Sequence, residues 1–153
     1  MVKTLTDLVL SSILLTSLVV LVSTSSNLIW LSSMNLPMDF NLVTSTFLSD
    51  IIGIYFNSEI PLYLLISLPF VIFLSLTKAL LKKTLSSPIF LYSLAGAISM
   101  LCLMILTPMA LDNLEPISGS RTYFGKLCIT ACGIFSGYFF AVRQLKINLN
   151  ENS

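Results

Sequence analysis

Four apolar stretches, each long enough to cross a bilayer as an α-helix, dominate this sequence. A helix needs about 20 mostly apolar residues to cross the roughly 30 Å hydrocarbon core of a membrane. Lys126 interrupts the last stretch, but only one turn from its start, where a long side chain can reach the interface. We therefore predict a single all-α domain over residues 1–153, a bundle of four transmembrane helices. The stretches cover approximately residues 8–31, 60–81, 88–111 and 123–142.

The amino-acid composition also indicates a membrane environment. Of the 153 residues, 56% are hydrophobic and 10% are charged, whereas about a quarter of the residues in a soluble domain are charged. The chain therefore cannot be an ordinary soluble enzyme domain or a disordered tail. Its net charge of +1 creates no basic field for nucleic-acid phosphates. We expect the lipid bilayer, and no nucleic acid, as its partner.

The basic residues are distributed unequally between the two sides of such a bundle. Six lie in the N-terminal segment, the second loop and the C-terminal segment, which share one side, and two lie on the other side. By the positive-inside rule both termini are cytoplasmic, and helical spans favour a bacterial inner membrane. Lys78, Lys82 and Lys83 form a basic loop that either signals topology or attracts anionic lipids. The six bases are Lys3, Lys78, Lys82, Lys83, Arg143 and Lys146; the two are Arg121 and Lys126.

The segment between the first two spans has its own helical pattern. Apolar residues recur at helical spacing, and polar residues, Asp50 among them, lie opposite, in a stretch too short and too polar to span. We predict an interfacial amphipathic helix over residues 40–57 that either packs as a lid on the bundle or forms a recognition surface. The predicted apolar face is Phe40, Val43, Phe47, Ile51 and Ile54, and the polar face is Thr46, Ser49, Asp50, Gly53 and Asn57.

Small residues line one side of the third and fourth spans. Since lipid provides no hydrophobic drive between helices, small residues spaced by four promote close helix contact. We predict that these two spans pack against each other, with a homo-oligomer or another protein's helix as the alternative. The residues are Ala95, Gly96 and Ser99 in the third span and Gly133, Gly137 and Ala141 in the fourth.

Catalytic and metal-binding patterns are missing from the sequence. It has no histidine, the commonest general base. No acid lies in the middle of a predicted span, which disfavours proton-coupled transport. Cys102, Cys128 and Cys132 fall within spans, where packing is more common than binding of a soft metal. We predict no enzyme, no cofactor and no metal.

Two families resemble parts of the chain. Three stretches, I-P-L-Y-L-L-I-S-L-P-F, S-S-P-I-F-L-Y-S-L-A-G-A and C-G-I-F-S-G-Y-F-F-A-V-R, are similar to small multi-span inner-membrane proteins of proteobacteria without an assigned function. The run from Asn35-Leu36-Pro37 to Ile54-Tyr55, with Ser87-Pro88, resembles four-span immunity proteins against pore-forming colicins. The second resemblance implies the same topology, with both ends cytoplasmic.

These observations predict a non-enzymatic integral membrane protein that acts through helix–helix contacts, as an accessory subunit or scaffold of a membrane complex. The alternative is an immunity-type protein that intercepts a toxin within the bilayer. A small channel or carrier is a minor alternative.

Overall fold

The fold is entirely helical in the described part of the chain. The computed structural model describes residues 2–34, 39–56, 62–81, 87–110 and 117–151. Four of the helices are long and apolar enough to cross a membrane, which confirms the predicted all-α, four-span fold of a multi-pass membrane protein. The elements are α1 (Val2–Ser33), α2 (Phe40–Phe56), α3 (Leu62–Leu81), α4 (Pro88–Ala110), a 3-10 helix (Ser118–Arg121) and α5 (Tyr123–Glu151).

Two helices extend beyond the apolar stretches that predicted them. Helix α1 begins at Val2 rather than near residue 8, and its 32 residues span about 48 Å. Helix α5 continues to Glu151 instead of ending near residue 142. Both helices therefore continue beyond their apolar stretches. The additional turns contain charged residues, Lys3 and Asp7 in α1 and Arg143, Lys146 and Glu151 in α5.

Helix α5 occupies the middle of the arrangement. It packs along α4 on one side and α1 on the other, while α3 packs along α4 and touches α1 only lightly. Asp7 near the start of α1 contacts Arg143 late in α5, and Ser23 lies beside Gly119, just before α5 begins. The two helices are therefore antiparallel, and the start of α1 and the end of α5 lie at the same end of the bundle.

The protein-facing side of α1 is more polar than its outer side. Two rows at four-residue spacing are buried: Asp7, Ser11, Leu15 and Val19, and Ser12, Thr16, Val20 and Thr24. The outer side carries aliphatic residues such as Val9, Ile13 and Leu21. The hydroxyls of Ser11, Ser12 and Thr16 donate to the carbonyl oxygens four residues earlier. A lipid environment favours polar residues that face the protein and aliphatic residues that face outward, because a polar group facing hydrocarbon finds no hydrogen-bond partner there.

Glycines allow α4 and α5 to approach at backbone distance. A Cβ at Gly96 would overlap the carbonyl oxygen of Gly133, and a Cβ at Gly137 would overlap that of Tyr92. The Tyr92 ring also meets the Phe140 ring edge-on, with centroids 5.0 Å apart. No larger residue fits at these glycines without separating the helices, and we call this contact the glycine seam.

Replacing Gly137 with alanine tests the glycine seam. The added methyl must displace the backbone of Tyr92, so we expect the free energy of unfolding in detergent micelles to fall by about 1–3 kcal/mol. Gly53 of α2 is the matched control, because among the described residues no atom lies within 4 Å of its Cβ position. Gly53→Ala should be neutral or stabilising by up to about 1 kcal/mol. Equal losses in both variants would contradict the close contact.

Candidate functional site

A buried carboxylate joins α1 to α5. Asp7 is 2% exposed, and both of its oxygens accept hydrogen bonds from α5. Arg143 Nε donates to Oδ1 at 2.6 Å, and Gln144 Nε2 donates to Oδ2 at 3.2 Å. We call this group the Asp7 clamp.

Helix geometry and desolvation explain the clamp. Arg143 and Gln144 are consecutive, so their side chains diverge and approach the carboxylate from two directions. The Arg143 side chain is 43% exposed, and its guanidinium carbon lies 5.7 Å from the centre of the Phe139 ring. A buried charge is tolerated only when it is paired and hydrogen-bonded. The clamp supplies both conditions for Asp7, while the arginine retains access to its surroundings.

Sequence reasoning missed Asp7, because the first span was taken to begin at residue 8. The relevant signal was the spacing of Asp7 and Ser11, which extends the buried polar face of α1 by one turn. The partners lie 136 and 137 residues away. No local pattern connects them, so the pairing was not accessible without the tertiary structure.

A second polar contact holds α2 against α1. Thr24, which is fully buried, donates a hydrogen bond from Oγ1 to Asp50 Oδ2 at 2.6 Å. Since α2 otherwise packs lightly on α1 and α3, this hydrogen bond is its most specific attachment in the described structure.

The predicted faces of α2 are wrong in part. Asp50 was assigned to the polar face opposite the apolar one but faces α1, whereas Phe40 and Ile51 of the predicted apolar face are 81% and 43% exposed. Val43 and Phe47 are half-buried, and the side chain of Ile54 lies outside the described residues. The physical reason is that α2 also carries apolar residues on its other side, and the carboxylate gains a hydroxyl partner by facing the protein.

The 3-10 helix packs into the same end of the bundle as Thr24. Ile117 and Ser120 are buried, and Gly119 lies between the backbone of Ser23 and Gly125. The backbone N–H of Gly125 donates to Thr122 Oγ1, which caps the start of α5. A segment without a span of its own thus fills the junction between α1 and α5.

The remaining predicted residues fall into three groups. Ala95, Gly96, Ser99, Gly133, Gly137 and Ala141 are all buried, and the structure brings Gly96 together with Gly133. Lys78 is exposed in the last turn of α3, while Lys82 and Lys83 lie outside the described residues. Cys132 is buried, and Cys102 and Cys128 are half-buried.

Most of the described buried polar side chains bond to their own helix, and some bond to a neighbouring helix. The buried hydroxyls mostly donate to their own helix, as Ser99 does to the Gly96 carbonyl; among the described residues Ser136 Oγ is buried without a partner. Within that same part of the chain, no group of three histidine, cysteine or acidic residues is placed to hold a metal. The Asp7 clamp and the hydrogen bond from Thr24 to Asp50 join helices, and these contacts support helix association.

A double-mutant cycle on Asp7 and Arg143 tests the clamp. Arg143→Ala leaves a buried carboxylate with Gln144 alone, so we expect a loss of about 2 kcal/mol or more in unfolding free energy. Asp7→Asn with Arg143→Ala should recover part of that loss, with a coupling energy of about 0.5–3 kcal/mol. Unfolding in mixed micelles measures the single variants Asp7→Asn and Arg143→Ala and the double variant. Strict additivity of the single changes would show that the two side chains are not coupled.

Removing the Thr24 hydroxyl tests the attachment of α2. Thr24→Val keeps the side-chain shape but deletes the donor to Asp50, so backbone hydrogen exchange in α2 should accelerate by about five- to tenfold, as expected for about 1–1.5 kcal/mol. Thr44→Val is the control, because the Thr44 hydroxyl bonds only to carbonyls of α2 itself. The same acceleration in both variants would argue against the interhelical bond.

Comparison with known proteins provides no relative from which a role can be transferred. No protein-family model matches the chain, and neither the curated proteins nor the solved structures contain a significant match. The function of this chain is therefore inferred from its own residues and geometry.

Proposed function

We propose that this protein is a non-enzymatic accessory subunit or scaffold that binds another membrane protein through its helices. The observation that carries the proposal is the use of its buried polar groups. The Asp7 carboxylate is occupied by Arg143 and Gln144, and Thr24 is occupied by Asp50. Groups engaged in this way stabilise the bundle and are not available to a substrate.

The tightness of the interior supports the same proposal. The glycine seam brings α4 and α5 to backbone contact, and Phe70, Met100 and Phe140 fill the bundle with almost no exposed surface. A channel or carrier needs a polar path between its helices. This packing favours action at the outer surface instead.

Helix α3 is the span with the smallest share of its surface covered by the rest of the chain. One side packs on α4, and the opposite side carries aliphatic residues at four-residue spacing. Such a row forms a straight ridge that fits between the ridges of another helix. We propose this ridge as the partner-binding surface. It consists of Leu64, Leu68, Ile72, Leu76 and Leu80.

For orientation, we propose that the clamp end of the bundle faces the cytoplasm in a bacterial inner membrane. Six of the eight basic residues belong to that side if four helices cross, in line with the positive-inside rule. The start of α1 and the end of α5 already share this end, so both termini would be cytoplasmic.

Co-purification with a matched pair of variants tests the partner surface. The tagged protein is extracted in mild detergent, and the stoichiometry of co-purifying proteins is measured by native mass spectrometry. Ile72→Trp places a large ring on the α3 ridge, and overpacking of about 1–3 kcal/mol should reduce partner recovery about tenfold.

The control is Ile105→Trp, on the exposed side of α4, where Ile105 is 63% exposed. It introduces the same ring into lipid and should leave recovery unchanged. A clean monomer for the parent protein, or equal recovery for the two tryptophan variants, would overturn the proposed partner surface. A second copy of the chain as the retained partner would identify a homo-oligomer.

An immunity-type role is the second candidate, and the exposed side of α2 favours it. Leu48, Ile51 and Ile52 present an apolar surface beside the bundle, at the end away from the clamp. A surface of this kind suits interception of a pore-forming protein within the bilayer. Retention of a toxin rather than a resident membrane protein in the same co-purification would favour this role.

A further inference from the structure

Three basic residues surround the clamp end of the α1–α5 contact. Lys3 lies one turn before Asp7 on the same side of α1, and Lys146 lies three residues after Arg143 on α5. Because the helices are antiparallel and join at Asp7 and Arg143, both lysines lie about one turn further towards the same end. Lys3, Arg143 and Lys146 are all exposed.

Arg143 has N–H donors that the Asp7 clamp does not use. A guanidinium carries five N–H donors, and the clamp uses only the one on Nε. Within the described residues, the terminal amino groups of Arg143 have no hydrogen-bonded partner, and the side chain is 43% exposed. The Asp7 carboxylate fixes the plane of the guanidinium and leaves its outer edge available to an acceptor such as a phosphate.

The charge balance at this position is positive. Among the side chains that the structure describes at this position, three are basic and one, Asp7, is acidic, and that acid is 2% exposed with both oxygens occupied. The carboxylate is thus shielded from an approaching anion, while the three cationic groups are accessible. An anion gains their attraction without facing an uncovered negative charge.

The surroundings determine which anion fits. The apolar stretch that begins at residue 8 follows directly after Asp7, so the bases lie at the boundary of the hydrocarbon core. Beside Arg143 and towards the apolar part of α5, Tyr138 and Val142 are exposed. A molecule with a phosphate at the bases and acyl chains along these residues matches both regions.

We propose that the Lys3–Arg143–Lys146 cluster binds the phosphate of an anionic phospholipid. Arg143, oriented by Asp7, supplies planar donors, and the two lysines supply charge. The lipid chains lie against the exposed Tyr138 and Val142 of α5. This site is independent of the α3 ridge and of any protein partner.

Lipid titration of the purified full-length chain in neutral detergent tests the site. Thermal unfolding is followed while phosphatidylglycerol or phosphatidylcholine with identical acyl chains is added. We expect phosphatidylglycerol to raise the unfolding temperature more at equal concentration. Lys3→Gln and Lys146→Gln should each weaken the apparent affinity for phosphatidylglycerol about fivefold, and neither touches the clamp, so both proteins should remain folded.

Lys126→Gln is the matched control, because Lys126 lies in the first turn of α5, at the opposite end of that helix from Arg143 and Lys146, and its loss changes the net charge equally. It should leave the affinity unchanged. Equal weakening by all three lysine changes would show a general charge effect and overturn the site, as would equal stabilisation by the two lipids. An equal effect of inorganic phosphate, titrated alone, would assign the site to a free anion and contradict a lipid site.

Discussion

The hydrocarbon core of a bilayer contains no water, and this constraint limits where the polar groups of the bundle can lie. A carboxylate, hydroxyl or backbone group facing hydrocarbon has no partner unless the protein supplies one. Helix α1 accordingly turns Asp7, Ser11, Ser12, Thr16 and Thr24 inward, and aliphatic residues such as Val9, Ile13 and Leu21 lie on its outer side. The hydroxyls bond to their own helix, and Asp7 bonds to α5. Interhelical polar contacts thus arise where a side chain is too strongly polar to be satisfied locally.

The contacts made by Asp7 and Thr24 lie towards opposite ends of α1. Asp7 and Thr24 are 17 residues apart by number, which is about 26 Å along a helix, close to the roughly 30 Å of the hydrocarbon core. Between them the contacts are apolar or made by small residues. Asp7 and Thr24 therefore specify which helices pair with α1, and the residues between them pack by shape.

Local sequence was sufficient for much of this structure. Hydropathy predicted four spans, and the recurrence of Phe40, Val43 and Phe47 predicted the α2 helix. The spacing of Gly133 and Gly137 predicted a close-packing side of α5, and the structure places these glycines against Gly96 and Tyr92. The orientation of α2 was not predictable, since both of its sides carry apolar residues and only the position of Thr24 decides which one faces the bundle.

The sequence by itself determined the environment, the number of spans and the side of α5 available for close packing, because these follow from residue type and spacing along one helix. Only the tertiary structure decided that Asp7 pairs with Arg143 and Gln144 and that Asp50 reaches Thr24. The physical reason is the separation along the chain of the residues involved. Periodicity reports which side of a helix is apolar, whereas the partner of a buried charge is set by the antiparallel assembly of segments far apart in the chain.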